Sequence, residues 1–167
     1  MRHVHFGEGD YEGTEHAIRS LLAVRAQAPP VADRTPTELT TPESYLGYER
    51  LDRYAGSPVV QGREASYRFP ARLGADELAY AGRWRVEGER VVAGRDARLR
   101  LRFRARNVFL VLGGRGVVRA SVDGQPVATV RVVADRLYTL VSGPRLRSGL
   151  LELRFSPGVE AYAFTFG

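Results

Sequence analysis

The chain has 167 residues, 44% of them hydrophobic, which is enough to bury one sizeable core and predicts one domain with an appendage. It contains no run of about 18 apolar residues, and its N-terminus lacks the apolar segment of a signal peptide, so we expect neither a membrane span nor a secretory leader. Cysteine is absent, which excludes a disulfide, a thiolate metal site and a thiol redox couple within this sequence.

All 25 basic residues are arginine, and with 19 acidic residues they give a net charge of +6 and a pI near 10.1. The coding bias of a GC-rich genome explains the absence of lysine, and selection for guanidinium chemistry is the alternative. In either case the basic balance is compatible with an anionic partner.

Residues 1–26 predict a strand followed by a helix. Arg2–Phe6 has the character of a short strand, a Gly-Glu-Gly turn follows, and residues 11–26 carry apolar side chains at a largely helical spacing. One strand and one helix cannot fold alone, so this segment is expected to belong to a larger domain or to dock on the rest of the chain. Residues 27–42 are rich in Pro, Ala and Thr and predict an extended linker.

The stretch 43–54 is denser in aromatic residues than a linker, which predicts an irregular or helical element lying against the domain that follows. Its expected anchors are Tyr45, Leu46, Tyr48 and Leu51. From residue 64 onward, short alternations of apolar and polar residues predict a series of strands. The first of these contain Ala65, Tyr67 and Phe69, then Leu78 and Tyr80 before a break at Gly82, then Trp84 and Val86, then Val91 and Val92.

The segment 97–114 is the centre of the predicted fold. Apolar residues occupy the odd positions from Ala97 to Ala105 and arginines occupy the even positions, which is the pattern of a half-buried strand. After Asn107 both parities are apolar, which indicates a bulge or corner at Arg106-Asn107 and then a more fully buried strand. We therefore expect this segment in the middle of a two-sheet fold.

The remaining strands are predicted around a turn at Asp123-Gly124 and near the C-terminus. Asp-Gly between two alternating segments is a strong hairpin signal. Further strands are expected at residues 137–141, 151–155 and 161–166. Short strands separated by turn signals predict a mainly β fold of the β-sandwich or jelly-roll type.

Four segments carry a resemblance to a known family. Residues 41–54 (TPESYLGYERLDRY), 122–126 (VDGQP), 136–141 (RLYTLV) and 155–167 (FSPGVEAYAFTFG) resemble the C-terminal module of DipZ-type thioredoxin-like proteins. Residues 3–22 (HVHFGEGDYEGTEHAIRSLL) resemble the last strand and helix of the thioredoxin-like domain that precedes that module. The expected organisation is therefore a thioredoxin-like remnant at 1–26, a linker at 27–42 and the module at 43–167.

The resemblance implies a galactose-binding-like jelly roll, similar to carbohydrate-binding modules and attached to an extracytoplasmic thiol-disulfide oxidoreductase. Such an enzyme needs a reactive thiolate and a resolving cysteine in a Cys-x-x-Cys turn, and this sequence has no cysteine. We therefore expect a fragment that has the accessory module without the catalytic one, and neither catalysis nor a cofactor in this chain.

The first candidate ligand site is aromatic. Sugar-binding jelly rolls stack aromatic rings on pyranose rings and use polar side chains to bind hydroxyl groups. Trp84, flanked by Arg83 and Arg85 with Tyr80 nearby, offers that combination. The alternative is that Trp84, which alternates with Val86, belongs to the core.

The second candidate site is a row of arginines. If Leu99, Leu101 and Phe103 point inward, then the intervening arginines point outward, and pairing with neighbouring strands would extend the same face. Such a face suits phosphate or carboxylate groups. The alternative is a solvated face, partly neutralised by Glu152. The arginines concerned are Arg98, Arg100, Arg102 and Arg104, with Arg119, Arg131 and Arg154 on neighbouring strands.

Other chemistry has weaker support. His3 and His5 share one side of a strand at a spacing that can bind a metal, but no third ligand is evident. The carboxylates of 76–77 and of Glu87 and Glu89 lie in predicted loops without a cleft and do not define a glycosidase pair. Nucleic acid ranks lowest among anionic partners, because no aromatic residues are interleaved with the arginines.

The sequence thus predicts a non-catalytic binding module, with carbohydrate or an anionic glycan as the first partner. The alternative is a structural module that positions a thioredoxin-like domain over its protein substrates. Exposure of Trp84 beside a groove would favour the first, whereas burial of Trp84 with an exposed apolar patch at Tyr45 and Tyr48 would favour the second. The unpaired strand at the N-terminus makes a homodimer formed through the N-terminal strand and helix a further expectation.

Overall fold

The computed structural model describes residues 40–167, and these residues form eleven strands and no helix. All pairings between strands are antiparallel. The prediction of a mainly β fold is confirmed. The predictions for residues 1–39, namely the strand and helix, most of the linker, and the histidines, lie outside the described residues. The strands are β1 (Ser44–Tyr45), β2 (Glu64–Tyr67), β3 (Leu78–Val86), β4 (Val91–Ala93), β5 (Arg98–Ala105), β6 (Val108–Gly114), β7 (Gly116–Val122), β8 (Gln125–Val132), β9 (Arg136–Val141), β10 (Arg147–Phe155) and β11 (Val159–Phe166).

The strands form two sheets that share β3. The front sheet has the order β8-β7-β10-β5-β3, and the back sheet continues from β3 through β4, β11 and β6 to β9. The back sheet also includes β2, which pairs with β3, and β1, which pairs with β11. Buried side chains from both sheets belong to one core cluster. Within residues 40–167 each sheet therefore has one face on this core and one outer face.

Strand β3 passes from one sheet to the other at Gly82. Its first half, Leu78–Ala81, pairs with β5, and its second half, Trp84–Val86, pairs with β4. Gly82 has a φ of 80°, and a Cβ at this position would lie 2.0 Å from the carbonyl oxygen of Asp96, so only glycine fits. The sequence predicted two strands separated at Gly82. They form a single strand because the glycine bends it without ending it.

The central segment is organised as the alternation predicts. In β5 the odd residues Leu99 to Ala105 are buried, whereas the arginines at even positions are partly or fully exposed. The chain then turns at Arg106-Asn107 from the front sheet into β6 of the back sheet. The amide N–H groups of Arg106 and Asn107 both donate to the carbonyl of Gly167, at 2.9 and 2.7 Å, which ties the C-terminus to this corner. Strands β5 and β6 each lie between two partners, so the predicted central position is confirmed.

The predicted hairpin joins β7 and β8 through Asp123 and Gly124. Both residues have positive φ values, 50° and 82°, as the tight two-residue turn requires. The aromatic stretch at 43–54 is irregular apart from β1, with no helix. Leu46 is fully buried, and Tyr48 and Leu51 pack against the core as predicted anchors.

An arginine face as candidate binding site

Trp84 and Tyr80 lie in the core and present no ring to a ligand at the surface. Both are fully buried, their ring centroids are 5.5 Å apart, and Trp84 also meets Phe155 edge-on at 5.0 Å. The indole N–H donates to the carbonyls of Ala81 and Arg98, at 3.0 and 3.3 Å. The expectation of an exposed stacking platform at these two residues is therefore corrected. Trp84 follows the core alternative, because it lies on the same side of β3 as the buried residues Leu78, Tyr80 and Val86.

The hydroxyl group of Tyr80 also forms its hydrogen bond within the protein. Its hydroxyl donates to the carbonyl of Leu46 at 2.7 Å, and burial raises the pKa of this phenol well above its usual value. Arg83, the third member of the aromatic candidate site, lies on the outer side of β3 and forms an ion pair with Glu64 of β2. The structure therefore does not bring Arg83 together with Trp84 and Tyr80 into one site.

The arginines of β5 lie on the outer face of the front sheet, as predicted. Strand β10 pairs with both β5 and β7, so the register places Arg154 opposite Arg98 on one side and opposite Arg119 on the other. Residues directly opposite each other in antiparallel strands have Cα atoms about 4.5–5.5 Å apart. Three arginines therefore form a transverse row across three strands. We call the charged outward residues of β5, β7, β8 and β10 the arginine face. They are Arg98, Arg100, Arg102, Arg104, Arg119, Arg131 and Arg154, with Glu152.

Glu152 is the only carboxylate among the outward residues of these four strands. Its side chain is 15% exposed and accepts hydrogen bonds from Arg100 at 2.8 Å and from Arg154 at 3.2 Å. Glu152 therefore partly neutralises this face at Arg100 and Arg154, as the alternative hypothesis of a solvated face expected. No carboxylate partner within residues 40–167 pairs with Arg98, Arg102 or Arg119.

An aromatic ring orders two of these arginines. Phe69, in the loop that follows β2, lies beneath the guanidinium groups of Arg100 and Arg98, whose central carbons are 4.3 and 5.4 Å from the ring centroid. Such contacts contribute about 0.5–1 kcal/mol at exposed sites and restrict the motion of the guanidinium group. The sequence placed Phe69 on a strand, but β2 ends at Tyr67 and the ring belongs to the loop.

A groove separates this loop from the sheet. It has a volume of about 380 Å³, and Arg100, Arg102 and Leu150 line it on the sheet side. On the loop side it is lined by Phe69, Pro70, Ala71, Arg72 and Leu73. Arg102 is held in place because its Nε donates to the carbonyl of Leu73 at 3.0 Å. The groove thus combines apolar surface with guanidinium groups whose orientation is set before a ligand arrives.

Comparison with known proteins now identifies the domain. Residues 41–167 match the family described as thioredoxin-like C-terminal domain. The chain belongs to this family. Along its whole length it is also 34% identical over 176 aligned residues to protein DipZ of Mycobacterium bovis and to protein DipZ of Mycobacterium tuberculosis. The chain spans about a quarter of the length of these two relatives, 25% in each case. The resemblance to DipZ-type thioredoxin-like proteins is confirmed.

Three of the other carboxylates considered from the sequence, Asp76, Glu77 and Glu87, have structural partners in this thioredoxin-like C-terminal domain. Asp76 accepts a hydrogen bond from the hydroxyl of Thr41 at 2.6 Å, and Glu77 accepts one from the amide of Gly74 at 2.6 Å. Glu87 pairs with Arg85 and Arg90. Within residues 40–167 no group of three His, Asp or Glu side chains is arranged to hold a metal ion. The same residues contain no helix long and apolar enough to cross a membrane.

Sequence reasoning missed the loop side of the groove. Arg72 and Leu73 follow no periodic pattern, so nothing in the sequence assigns them to the arginine face. Leu150 could have been found, because its neighbour Leu151 is buried and alternation therefore turns Leu150 outward. The pairing of Glu152 with Arg100 depends on the register between distant strands, which the sequence does not show.

Proposed function

We propose that this domain is the non-catalytic accessory module of an extracytoplasmic thiol-disulfide oxidoreductase, and that its arginine face binds an acidic carbohydrate. The family resemblance supports the enzyme context, the location and the assignment of the two sheets to the galactose-binding-like jelly rolls. The absence of cysteine supports a role other than thiol exchange for this chain. The structural observation that carries the ligand proposal is the groove between residues 69–73 and the two arginines Arg100 and Arg102.

The groove matches an acidic sugar in chemistry as well as in size. Its volume of about 380 Å³ lies in the range of small-molecule sites. Arg102, whose Nε is held by the carbonyl of Leu73, keeps its terminal N–H groups for a ligand carboxylate, and Arg100, which pairs with Glu152, lies beside it. Pro70 and Leu150 supply apolar surface for the ring carbons. A neutral sugar would leave the guanidinium charges of the groove without an anionic partner, so an acidic sugar fits the groove better.

Calorimetric titration of the 167-residue chain tests the ligand class. Galacturonate and glucuronate oligosaccharides should bind at low ionic strength and lose affinity as salt is raised, because the contact is largely ionic. Matched neutral oligosaccharides, without carboxylates, should not bind. Binding of the neutral sugars that survives high salt would contradict the arginine face as the site.

Two double variants locate the binding. Arg100→Gln with Arg102→Gln should abolish binding of the acidic sugars, since both guanidinium groups on the sheet side of the groove are lost. Arg83→Gln with Arg85→Gln is the matched control, because these arginines pair with Glu64 and Glu87 and line neither wall of the groove. Equal loss of affinity in the two double variants would indicate non-specific charge attraction and refute the site.

The second candidate function is a structural module that positions a thioredoxin-like domain, and the burial of Trp84 favours it. An apolar patch is present on the back sheet, where Leu137 is 50% exposed and pairs with Val111 beside Phe109. The expected patch at Tyr45 is not open, because the guanidinium carbon of Arg50 lies 3.3 Å from the centre of that ring. Titration with an isolated thioredoxin-like domain should then shift methyl resonances of Leu137 and Val111, and unchanged spectra would exclude this function.

A further inference from the structure

A second cavity lies beside the groove on the arginine face. It has a volume of about 520 Å³ and is lined by Arg95, Arg98 and Arg154, with Asp96 as its one acidic lining residue. Arg98 of this cavity and Arg100 of the groove are two residues apart on β5, so their Cα atoms are about 7 Å apart along the strand. The two cavities are therefore neighbouring positions on one surface.

The charges of the second cavity repel one another in the absence of a ligand. Arg98 and Arg154 are direct cross-strand neighbours, and Arg119 extends the same row. Like charges directly opposite each other destabilise a sheet. An anionic group placed over this row would relieve the repulsion, which gives the cavity a preference for anions that is independent of the groove.

Glu152 lies between Arg102 of the groove and the row of Arg98 and Arg154. It is directly opposite Arg100 on β10 and bonds it, so it occupies the level of Arg100 itself. A ligand with one continuous block of negative charge would be repelled by this carboxylate. Anionic groups that are spaced along a chain can lie on either side of it and avoid the repulsion. The spacing of outward residues on β5 sets the distance between such groups at about 7–14 Å.

The aromatic content of the face distinguishes a sugar polymer from a nucleic acid. Binding of single strands depends on rings that are free to stack on bases. The ring of Phe69 is covered by the guanidinium groups of Arg98 and Arg100, and no other aromatic residue lines either cavity except Phe155, which is buried. The observations therefore favour an acidic polysaccharide.

We infer that the ligand is a linear acidic polysaccharide that spans both cavities, with one acidic group at Arg100 and Arg102 and another at Arg98 and Arg154. This inference rests on the proposed function, since it extends the same face and specifies the length of the ligand. Two positions joined by one chain bind more tightly than either alone, because the second contact forms at a high effective concentration.

A length series tests this inference. Oligogalacturonates of two, four and six residues are titrated into the 167-residue chain at fixed ionic strength. Affinity should rise about tenfold or more from the dimer to the hexamer. The double variant Arg98→Gln with Arg154→Gln should bind the hexamer no better than the dimer, so that the rise in affinity with length is lost. Thermal unfolding of the same variant checks that the sheet is intact.

The outcomes separate this inference from the proposed function. Equal affinity for dimer and hexamer would overturn the two-cavity polymer and leave the acidic-sugar groove standing. No binding at any length would overturn both. A single-stranded oligonucleotide of equal charge that binds more tightly than the hexamer at the same salt concentration would overturn the polysaccharide class.

Discussion

Replacing Glu152 by glutamine should change the stability of the folded chain and its affinity for anions in opposite directions. Glu152 is the carboxylate that Arg100 and Arg154 share, and its side chain is 15% exposed. A hydrogen bond to a charged group contributes about 1.5–3 kcal/mol when it is buried. The contact to Arg154 is discounted because that side chain is 66% exposed. Glutamine retains one acceptor oxygen, so we expect Glu152→Gln to lower the free energy of unfolding by about 1–2 kcal/mol.

The same substitution should strengthen the binding of acidic sugars. Once Glu152 is neutral, Arg100 and Arg154 no longer have a competing carboxylate, and the repulsion between anionic ligand and protein is removed. Thermal unfolding should show a midpoint lower by about 3–8 °C, whereas calorimetry should show a higher affinity for the hexagalacturonate. The two effects have opposite signs, which a general loss of folding could not produce.

Glu64→Gln is the matched control for this experiment. Glu64 also pairs with an arginine, Arg83, but its side chain is 49% exposed and it lines neither cavity. Its substitution should change stability by less than about 0.5 kcal/mol and leave sugar affinity unchanged. Weaker binding by Glu152→Gln, or equal effects of the two substitutions, would refute the reasoning.

Three further outcomes are expected. Gly82→Ala should lower the free energy of unfolding by about 3 kcal/mol in chemical denaturation, because its Cβ would clash with the carbonyl of Asp96. Gly124→Ala is the control: Gly124 has a similar φ but open space around it, so the loss should be about 1 kcal/mol. Burial raises the pKa of Tyr80, so the folded state favours the neutral phenol; the stabilisation is complete below pH about 10 and is lost as pH rises through the raised pKa. Unfolding midpoints should therefore fall above pH about 10, and less steeply in Tyr80→Phe. Trp84 fluorescence should be blue-shifted, protected from acrylamide and unchanged by acidic sugars; a response to quencher in the folded chain would contradict its burial.

The local pattern of the sequence predicts the strands better than their partners. Alternation assigns Leu99, Leu101 and Phe103 to the core because a β-strand exposes its two sides in turn, and this holds wherever the strand lies. The same reasoning is ambiguous at Trp84, since it shows which residues share a side and does not show which side faces the core. In the structure Trp84 shares its buried side with Leu78, Tyr80 and Val86, and the two flanking arginines lie on the exposed side.

In the candidate site, too, the sequence predicts the local direction of side chains but not the partners they meet. The outward direction of Arg98, Arg100 and Arg102 follows from alternation and was predicted. The row that Arg154 completes, and the neutralisation by Glu152, require the register of β10 against β5. A loop without periodicity supplies the other wall of the groove, so its members could not be assigned from the sequence.

The most direct test of the arginine face is to observe its guanidinium groups during ligand binding. In the 15N-labelled 167-residue chain, the Nε–Hε resonances of the arginines are recorded while tetragalacturonate is added at low ionic strength. We predict that the shifts concentrate at Arg98, Arg100, Arg102 and Arg154, which line the two cavities. Shifts concentrated at Arg83, Arg85 and Arg90, or unchanged spectra throughout, would contradict it.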